Sequence, residues 1–284
     1  MPVSTSGPTD SETAYAKINL ALHVRKRLPD GYHDLETIFA FLDQGDRVSV
    51  QPGEEITLEI DGRFSNGLSS SDNLVVEAAV RLADISGTSR GACLHLDKQL
   101  PVASGIGGGS ADAAATLRLL NRFWGLGLSF AELADIARPL GADVPACVIS
   151  QTCRGTGIGQ DLEALPENDA QGCGVLLVNP LVPVSTAEIF AAWDGVDRGA
   201  LNGDGVLSIA RNGRNDLQAP ALALVPQLAD VLLLLGDCQP LVSRMSGSGA
   251  TCFALFETPG EAQAAERQCR KAMDGIWTLT GRIR

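Results

Sequence analysis

Pro101-Val102-Ala103-Ser104-Gly105-Ile106-Gly107-Gly108-Gly109-Ser110-Ala111-Asp112-Ala113-Ala114-Ala115-Thr116 is the stretch on which the fold turns. Four of the five residues from Gly105 to Gly109 are glycine, and a run of alanines, the strongest helix formers, follows. Glycine accepts positive φ and lets a ligand approach the backbone. A helix starting near Ser110 adds unpaired N–H donors and a partial positive charge at its N-terminus. The combination predicts an anion cradle, best suited to nucleotide phosphates. A Walker loop requires Gly-Lys-Ser/Thr at its end, and no lysine lies between Lys98 and Lys271. A Rossmann reading from Gly105 places Ser110 where the last glycine belongs. A flexible linker is the bland alternative; Leu100-Pro101 before the stretch and an apolar helix after it argue against one.

Composition bounds the rest. The 284 residues suffice for one large domain or two smaller ones, and 45% hydrophobic with 20% charged residues is an ordinary globular balance. A net charge of −12 argues against broad binding to nucleic acid or an anionic membrane, so an anionic small molecule must be met by local cations. Arg25-Lys26-Arg27, Lys17 and Lys98 are available for that, although a solvated loop explains the cluster equally well. Seven cysteines without a C-x-x-C pair imply neither a disulfide framework nor a zinc site, and read as buried thiols. The segment 1–13 is expected to be a disordered tail, neither a signal nor a transit peptide. With no aliphatic run long enough to span a bilayer, the expected location is cytoplasmic.

Outward from the glycine stretch, Ala14 to Val24 alternates as a half-buried strand, placing Lys17 and Asn19 on one face within reach of a common ligand. Read alone, that face is simply solvated. Pro29-Asp30-Gly31 is a turn delivering Tyr32-His33-Asp34 to a loop tip. Strands over 47–51 and 56–60, joined at Pro52-Gly53, suggest a hairpin or meander. Asp72 is the expected N-cap of a helix over 73–84, ended by Gly87, and 92–96 is a strand feeding the glycine stretch. Ser129-x-x-Glu132 is a capping box. In Gly141-Ala142-Asp143-Val144-Pro145, Asp143 by itself reads as the cap of a helix starting at Val144. The aperiodic 163–172 segment is the expected domain boundary. Beyond it follow a strand at 175–178, a helix capped by Ser185, helices over 215–224 and 227–235, and a second small-residue loop, Ser246-Gly247-Ser248-Gly249-Ala250. A strand over 251–256, a helix over 261–273 and a strand at 276–280 close an α+β chain. No repeat of 20–50 residues is evident.

The strand with Lys17 and Asn19, the glycine stretch and Gly247-Ser248-Gly249-Ala250 together resemble the three signature segments of the GHMP kinase superfamily. Ala16-Lys17-Ile18-Asn19-Leu20, Asp30-Gly31-Tyr32-His33-Asp34, Gly141-Ala142-Asp143-Val144-Pro145 and Arg244-Met245-Ser246-Gly247-Ser248-Gly249-Ala250 are similar to its branch acting on a cytidine diphosphate substrate in non-mevalonate isoprenoid synthesis. The resemblance covers about Ala14 to Phe256. It implies a domain over 14–162 of the ribosomal protein S5 domain 2-like type and a ferredoxin-like domain over 163–284. ATP and substrate lie in the cleft between such domains. It also implies phosphoryl transfer from ATP, with Mg²⁺, to a tertiary hydroxyl.

By that resemblance Asp143 is the general base, Lys17 keeps it ionised and stabilises developing charge, and Asn19 positions the same group. Pro101, Val102, Ala103, Ser104, Gly105, Ile106, Gly107, Gly108, Gly109, Ser110 and Ala111 form the ATP loop, with Asn73 and Lys98 near the nucleotide. Ser110 is the candidate magnesium or phosphate contact, and no second carboxylate for the metal stands out. Tyr32 and Phe190 match positions that sandwich the cytosine, and His33 the position that reads it. Tyr32 beside a turn glycine is poor core filler in a chain with 5% aromatics, whereas Phe190 on a helix also suits a core. His23 and His95 fall in strand patterns and read as structural. Two departures stand out: Val102-Ala103-Ser104, where related loops carry more glycine, and Ala111-Asp112, where some have Ser-Asn. A different superfamily kinase and a non-catalytic nucleotide- or RNA-binding module are the competing readings. The acidic charge weighs against RNA, and the presence of both Lys17 and Asp143 against a dead enzyme. The residues leave the oligomeric state open.

Overall fold

The computed structural model describes residues 10–165 and 167–284. Along the chain run β1 (Asp10–Arg27), β2 (His33–Gly53), β3 (Ile56–Asp61), α1 (Leu74–Ser86), β4 (Gly91–Asp97), α2 (Gly108–Trp124), α3 (Phe130–Ala137) and α4 (Val144–Ile149). Then come β5 (Cys153–Thr156), β6 (Asp161–Ala164), β7 (Gly174–Asn179), α5 (Thr186–Ala191), α6 (Val206–Asn212), α7 (Gln218–Leu224) and α8 (Gln227–Asp237). Last are β8 (Val242–Met245), β9 (Cys252–Phe256), α9 (Pro259–Ala272) and β10 (Trp277–Arg282). No described helix is long and apolar enough to cross a membrane.

Two compact units interleave along the chain, whereas the expected boundary is a single cut after residue 162. The first gathers the chain up to Ala16, Gly45–Val102 and Gly108–Ile149; the second gathers Lys17–Gln44, Ala103–Gly107 and Ser150–Arg284. Of the expected disordered tail, residues 1–9 lie outside the described residues. The expectation is corrected for residues 10–13, which are the start of β1, where Glu12 pairs with Arg118 at 3.1 Å and Arg122 at 2.6 Å.

In the first unit, β4 pairs antiparallel with Arg47–Gly53 of β2 and parallel with β3. The expected hairpin at Pro52-Gly53 therefore does not form. Strand β4 lies between the other two, because α1 carries the chain from β3 to β4 as a crossover and makes that pair parallel. Asn73, not Asp72, caps α1: its Oδ1 accepts the Val75 N–H at 3.0 Å, and Gly87 ends the helix at φ +66°. Helix α2 is buried on every side from Ala111 to Leu120 and packs against α1, α3 and α4. Its alanines permit that, since a helix with neighbours on all faces needs small side chains for close approach. The Ser129–Glu132 capping box starts α3.

In the second unit, Thr37–Phe39 of β2 pairs with β5, and β5 with β6. Strands β10, β7, β9 and β8, in that order, form an antiparallel sheet. Every residue of β7 is buried, and α8 and α9 pack on this sheet. Val178, Ile189, Leu217, Val231, Phe256 and Cys269 belong to its core. Strands β5, β6 and β8 and helix α6 carry no clear periodicity and give no signal in the sequence. The expected helix over 215–224 starts only at Gln218, since Asn215 bridges to Leu22.

Candidate active site

Strand β1 sets the site of the second unit. Lys17 and Asn19 are each 3% exposed, which corrects the picture of a half-buried strand with a solvated face. The side chains form a chain: Lys17 Nζ donates to Asn19 Oδ1 at 3.0 Å, Asn19 Nδ2 to Thr37 Oγ1 at 2.8 Å, and Thr37 Oγ1 to the Ala21 carbonyl at 2.7 Å. Because the Thr37 proton is committed to a carbonyl, Thr37 accepts from Asn19, and the amide oxygen must face the ammonium. The Lys17 ammonium also lies 5.2 Å from the Phe39 ring centroid.

The same strand holds the glycine turn. The Lys17 N–H donates to the Ile106 carbonyl at 3.0 Å. From the second small-residue loop, Ser246 Oγ donates to the Gly105 carbonyl at 2.8 Å, accepts the Asn19 N–H at 3.2 Å, and the Thr251 N–H reaches the Ser104 carbonyl at 3.1 Å. Contact is so close that a Cβ on Gly105, whose φ is +75°, would lie 2.4 Å from the Ser246 carbonyl oxygen and 2.7 Å from that of Gly249. Asn215 Nδ2 pins the second loop through the Met245 and Gly247 carbonyls, both at 2.8 Å. Arg244 is buried; its guanidinium donates to the carbonyls of Leu20, Ala210 and Gly213, and burial lowers it to about 10. Lys17, Asn19 and Ser104 to Ile106 thus assemble on one framework.

Among the aromatic candidates, Tyr32 is 58% exposed after a turn closed by its own N–H to Asp30 Oδ1 at 3.0 Å. His33 is buried, and its ring centroid lies 5.0 Å from Phe190 and 5.7 Å from Trp193. Arg27 Nε donates to His33 Nε2 at 3.4 Å. Burial, and then the Arg27 charge, hold the imidazole below its ordinary range. Trp193 was not legible as a neighbour of this group, since nothing in sequence ties it to His33. The basic cluster ends β1 instead of lying in a loop, and acids meet it: Arg25 pairs with Glu36 at 2.5 Å and Asp197 at 3.0 Å, and Lys26 with Asp34 at 3.6 Å.

The first unit holds the remaining candidates. Asn73 caps α1, and Gly109 lies in the first turn of α2 beside Leu74, whose Cδ1 would lie 3.5 Å from an added Cβ. Pro101 and Ala111 are buried, Val102 and Gly109 exposed, and Gly108 and Ser110 half-buried. Glycine turns continue into the helix, with φ +75° at Gly105 and +65° at Gly107; Ala103, at +49°, shares the left-handed region. Lys98 is 3% exposed, with Nζ at 2.5 Å from Asp46 Oδ2 and 2.6 Å from Asp112 Oδ2. Burial works against its charge, but the carboxylates of Asp112 and Asp46 outweigh it and hold the ammonium above its ordinary range. The Asp112 carboxyl is pushed up to about 7 by burial, against the pull of Lys98 and with the help of Asp46. Nothing local in the sequence ties either acid to Lys98, although Asp112 is one of the two departures from the related loops. Asp143 is half-buried at the start of α4, and its carbonyl accepts the Cys147 N–H at 3.1 Å.

His23 and His95 have structural partners: His23 Nδ1 lies 3.0 Å from the Gly199 carbonyl, and His95 Nε2 3.1 Å from Asp61. Five of the seven cysteines are buried, Cys93 being exposed and Cys238 intermediate; burial pushes Cys153 and Cys252 up to about 12.

Residues 73–151 match the model of the GHMP kinases N terminal domain, and residues 200–275 that of the GHMP kinases C terminal. A 4-diphosphocytidyl-2-C-methyl-D-erythritol kinase of Sphingopyxis alaskensis is 50% identical, over 97% of this chain and 99% of its own. That of Rhizorhabdus wittichii is 49% identical, over 100% and 97%. A crystal structure of 4-(cytidine 5'-diphospho)-2C-methyl-D-erythritol kinase superposes with a TM-score of 0.76 at 31% identity, covering 95% of this chain and 98% of that one. The homoserine kinase of Cytophaga hutchinsonii, at 18% identity and a TM-score of 0.73, shares the fold.

Proposed function

Because the chain belongs to the GHMP kinase family and is a small-molecule kinase, we propose that it phosphorylates the 2-hydroxyl of 4-diphosphocytidyl-2-C-methyl-D-erythritol. ATP is the co-substrate. The step belongs to non-mevalonate isoprenoid precursor synthesis and takes place in the cytoplasm. Segments 14–162 and 163–284 are its two family domains.

A tertiary hydroxyl is a weak nucleophile at neutral pH, so loss of its proton must accompany attack on phosphorus. Asp143 takes that proton, the substrate oxygen bonds to the γ-phosphorus, and the bond to the β,γ-bridging oxygen breaks to release ADP. Lys17 opposes the negative charge gathering on the attacking oxygen and the transferring group, where a buried ammonium acts more strongly than one in water. Asn19, oriented by Thr37, aims that ammonium. Backbone N–H groups from Pro101 to Ala111 cradle the phosphates. Asn73 and Lys98 support the nucleotide, Tyr32 and Phe190 stack on cytosine, and His33 reads its edge. The lowered imidazole stays neutral at pH 7, and because its Nε2 accepts from Arg27, the Nδ1–H is the donor it offers for that task.

Magnesium takes oxygen ligands, few from protein and the rest from phosphates and water. The described residues contain no cluster of three or more His, Cys, Asp or Glu side chains able to hold a metal ion. Ser110 is the residue assigned to touch it. When bound, the ion neutralises phosphate charge.

One observation carries the reading: Lys17 holds the glycine turn through its backbone while its buried ammonium is aimed by Asn19. Coupled ADP release with the cytidyl substrate and Mg-ATP tests it. Turnover is expected to require the cytidine diphosphate moiety, and Tyr32→Ala to raise KM for that substrate by about 10–100-fold, the value of one lost base–aromatic stacking contact. Equal turnover of a substrate lacking cytidine refutes the assignment.

A further inference from the structure

Three buried ionisable side chains, Lys98 of the nucleotide group and two acids given no role above, bracket the glycine-rich stretch. Asp46 is fully buried, and each of its oxygens is used: Oδ1 accepts the N–H groups of Gln99 at 2.5 Å and Leu100 at 2.7 Å, and Oδ2 the Lys98 ammonium. These contacts fix the chain just before Pro101. On the far side, the ammonium reaches Asp112 in the second turn of α2. It also sits directly beneath the first turn, where a Cβ on Gly108 would lie 3.1 Å from Nζ and 3.9 Å from Asp46 Oδ2. The backbone of Lys98 is itself held, its N–H by the Asp61 carbonyl at 2.8 Å and its carbonyl by the Phe64 N–H at 3.0 Å. One ammonium therefore ties the residues entering the stretch to the helix leaving it.

We propose that Asp46, Lys98 and Asp112 form a clasp that fixes the separation between the two ends of the phosphate loop, making Asp46 and Asp112 positioning residues for nucleotide binding. The inference rests on the kinase reading above, and in it Lys98 acts through the loop backbone. A cradle of N–H groups binds phosphate only when several donors converge, so a small change in end-to-end spacing weakens all of them together. Charge-assisted bonds between buried groups suit this purpose, because breaking one leaves an unpaired charge out of water. They also explain the acid at position 112: a carboxylate at that point on the helix meets the ammonium directly.

The test compares wild type, Asp112→Ala and Asp112→Asn by hydrogen exchange without nucleotide and by ADP titration, with thermal unfolding confirming that each is folded. Asp112→Ala is expected to speed exchange of the amides from Gln99 to Ser110 while leaving α3 unchanged, and to weaken ADP by about 10–100-fold, the scale on which misplacement acts. Asp112→Asn keeps an oxygen for the Lys98 ammonium and is expected to restore both readings to within a few-fold. If Asp112→Ala fails to fold, Asp46→Asn replaces it with the same expectations. Unchanged exchange of the loop amides, or faster exchange with ADP affinity within twofold of wild type, overturns the clasp. Wild-type protein that binds no ADP overturns the kinase reading, and the clasp with it.

Discussion

At the scale of single residues, the groups proposed for chemistry differ from those that hold the site in shape. Lys17 does both, its N–H on Ile106 and its ammonium on Asn19. Asp143→Asn and Lys17→Met are expected to lower kcat by about 10²–10⁴-fold, the range for a positioned base or an electrostatic group. The melting temperature of Asp143→Asn should stay within a few degrees of wild type, since the half-buried side chain is replaced by an isostere. Parallel loss of folding and activity in that variant would mark Asp143 as a helix cap alone. The pairing of Lys17 with Asn19 was visible as a two-residue spacing on one strand face. Its burial was not, because Thr37 and Ser246 are brought to it from 18 and 227 residues away.

At the scale of elements, glycine separates strain from freedom. Gly105 needs its φ of +75° and has carbonyl oxygens where a Cβ would go. Gly105→Ala is therefore expected to destabilise the fold by about 2–5 kcal/mol, combining backbone strain with overpacking. Gly236 in α8 has ordinary helical φ and open space, so Gly236→Ala should stabilise by about 0.5–1 kcal/mol. Urea unfolding of the two variants checks both, and a shift of the same sign for both refutes the distinction. Caps at Ser129 and Ser185 and the end of α1 at Gly87 were readable because they depend on neighbours within four residues. The strand order β3-β4-β2 was not, since a Pro-Gly pair marks a turn without saying which strand the chain meets next.

At the scale of the whole molecule, charge and proton uptake set the behaviour. His23 Nε2 accepts the Arg214 N–H at 3.3 Å, so Nδ1 carries the proton and donates to Gly199; a second proton would face that N–H. Burial, and then the Arg214 charge, hold the group below 6.5, and His33 is lowered as well. Unfolded histidine takes up a proton as pH falls through 6.5, before the folded residue does. The stability associated with the neutral imidazole is therefore complete above that pH and is lost on acidification toward the folded value. Asp112, raised to about 7, acts in the opposite direction over part of this range, favouring the folded state as pH falls. His23→Gln, which keeps a donor and an acceptor, isolates the histidine: between pH 7 and 5 its melting temperature should fall less than that of wild type. Equal falls would refute the assignment. With a net charge of −12, no binding to RNA is expected at physiological salt, and a filter-binding assay checks it.

Local order decides what a sequence displays by itself. Here the glycine stretch and its helix, most of the caps, the Lys17–Asn19 spacing and the family signatures all follow from residues close in the chain, where sterics and hydrogen bonding act without the rest of the molecule. The tertiary structure decided that both faces of β1 are buried, that Gly105 meets the loop at Ser246, that His33 packs on Phe190 and Trp193, and that Lys98 joins Asp46 to Asp112. Those pairings span tens to hundreds of residues. Only the folded backbone brings such groups together, and only burial makes their charges and hydrogen bonds strong enough to matter.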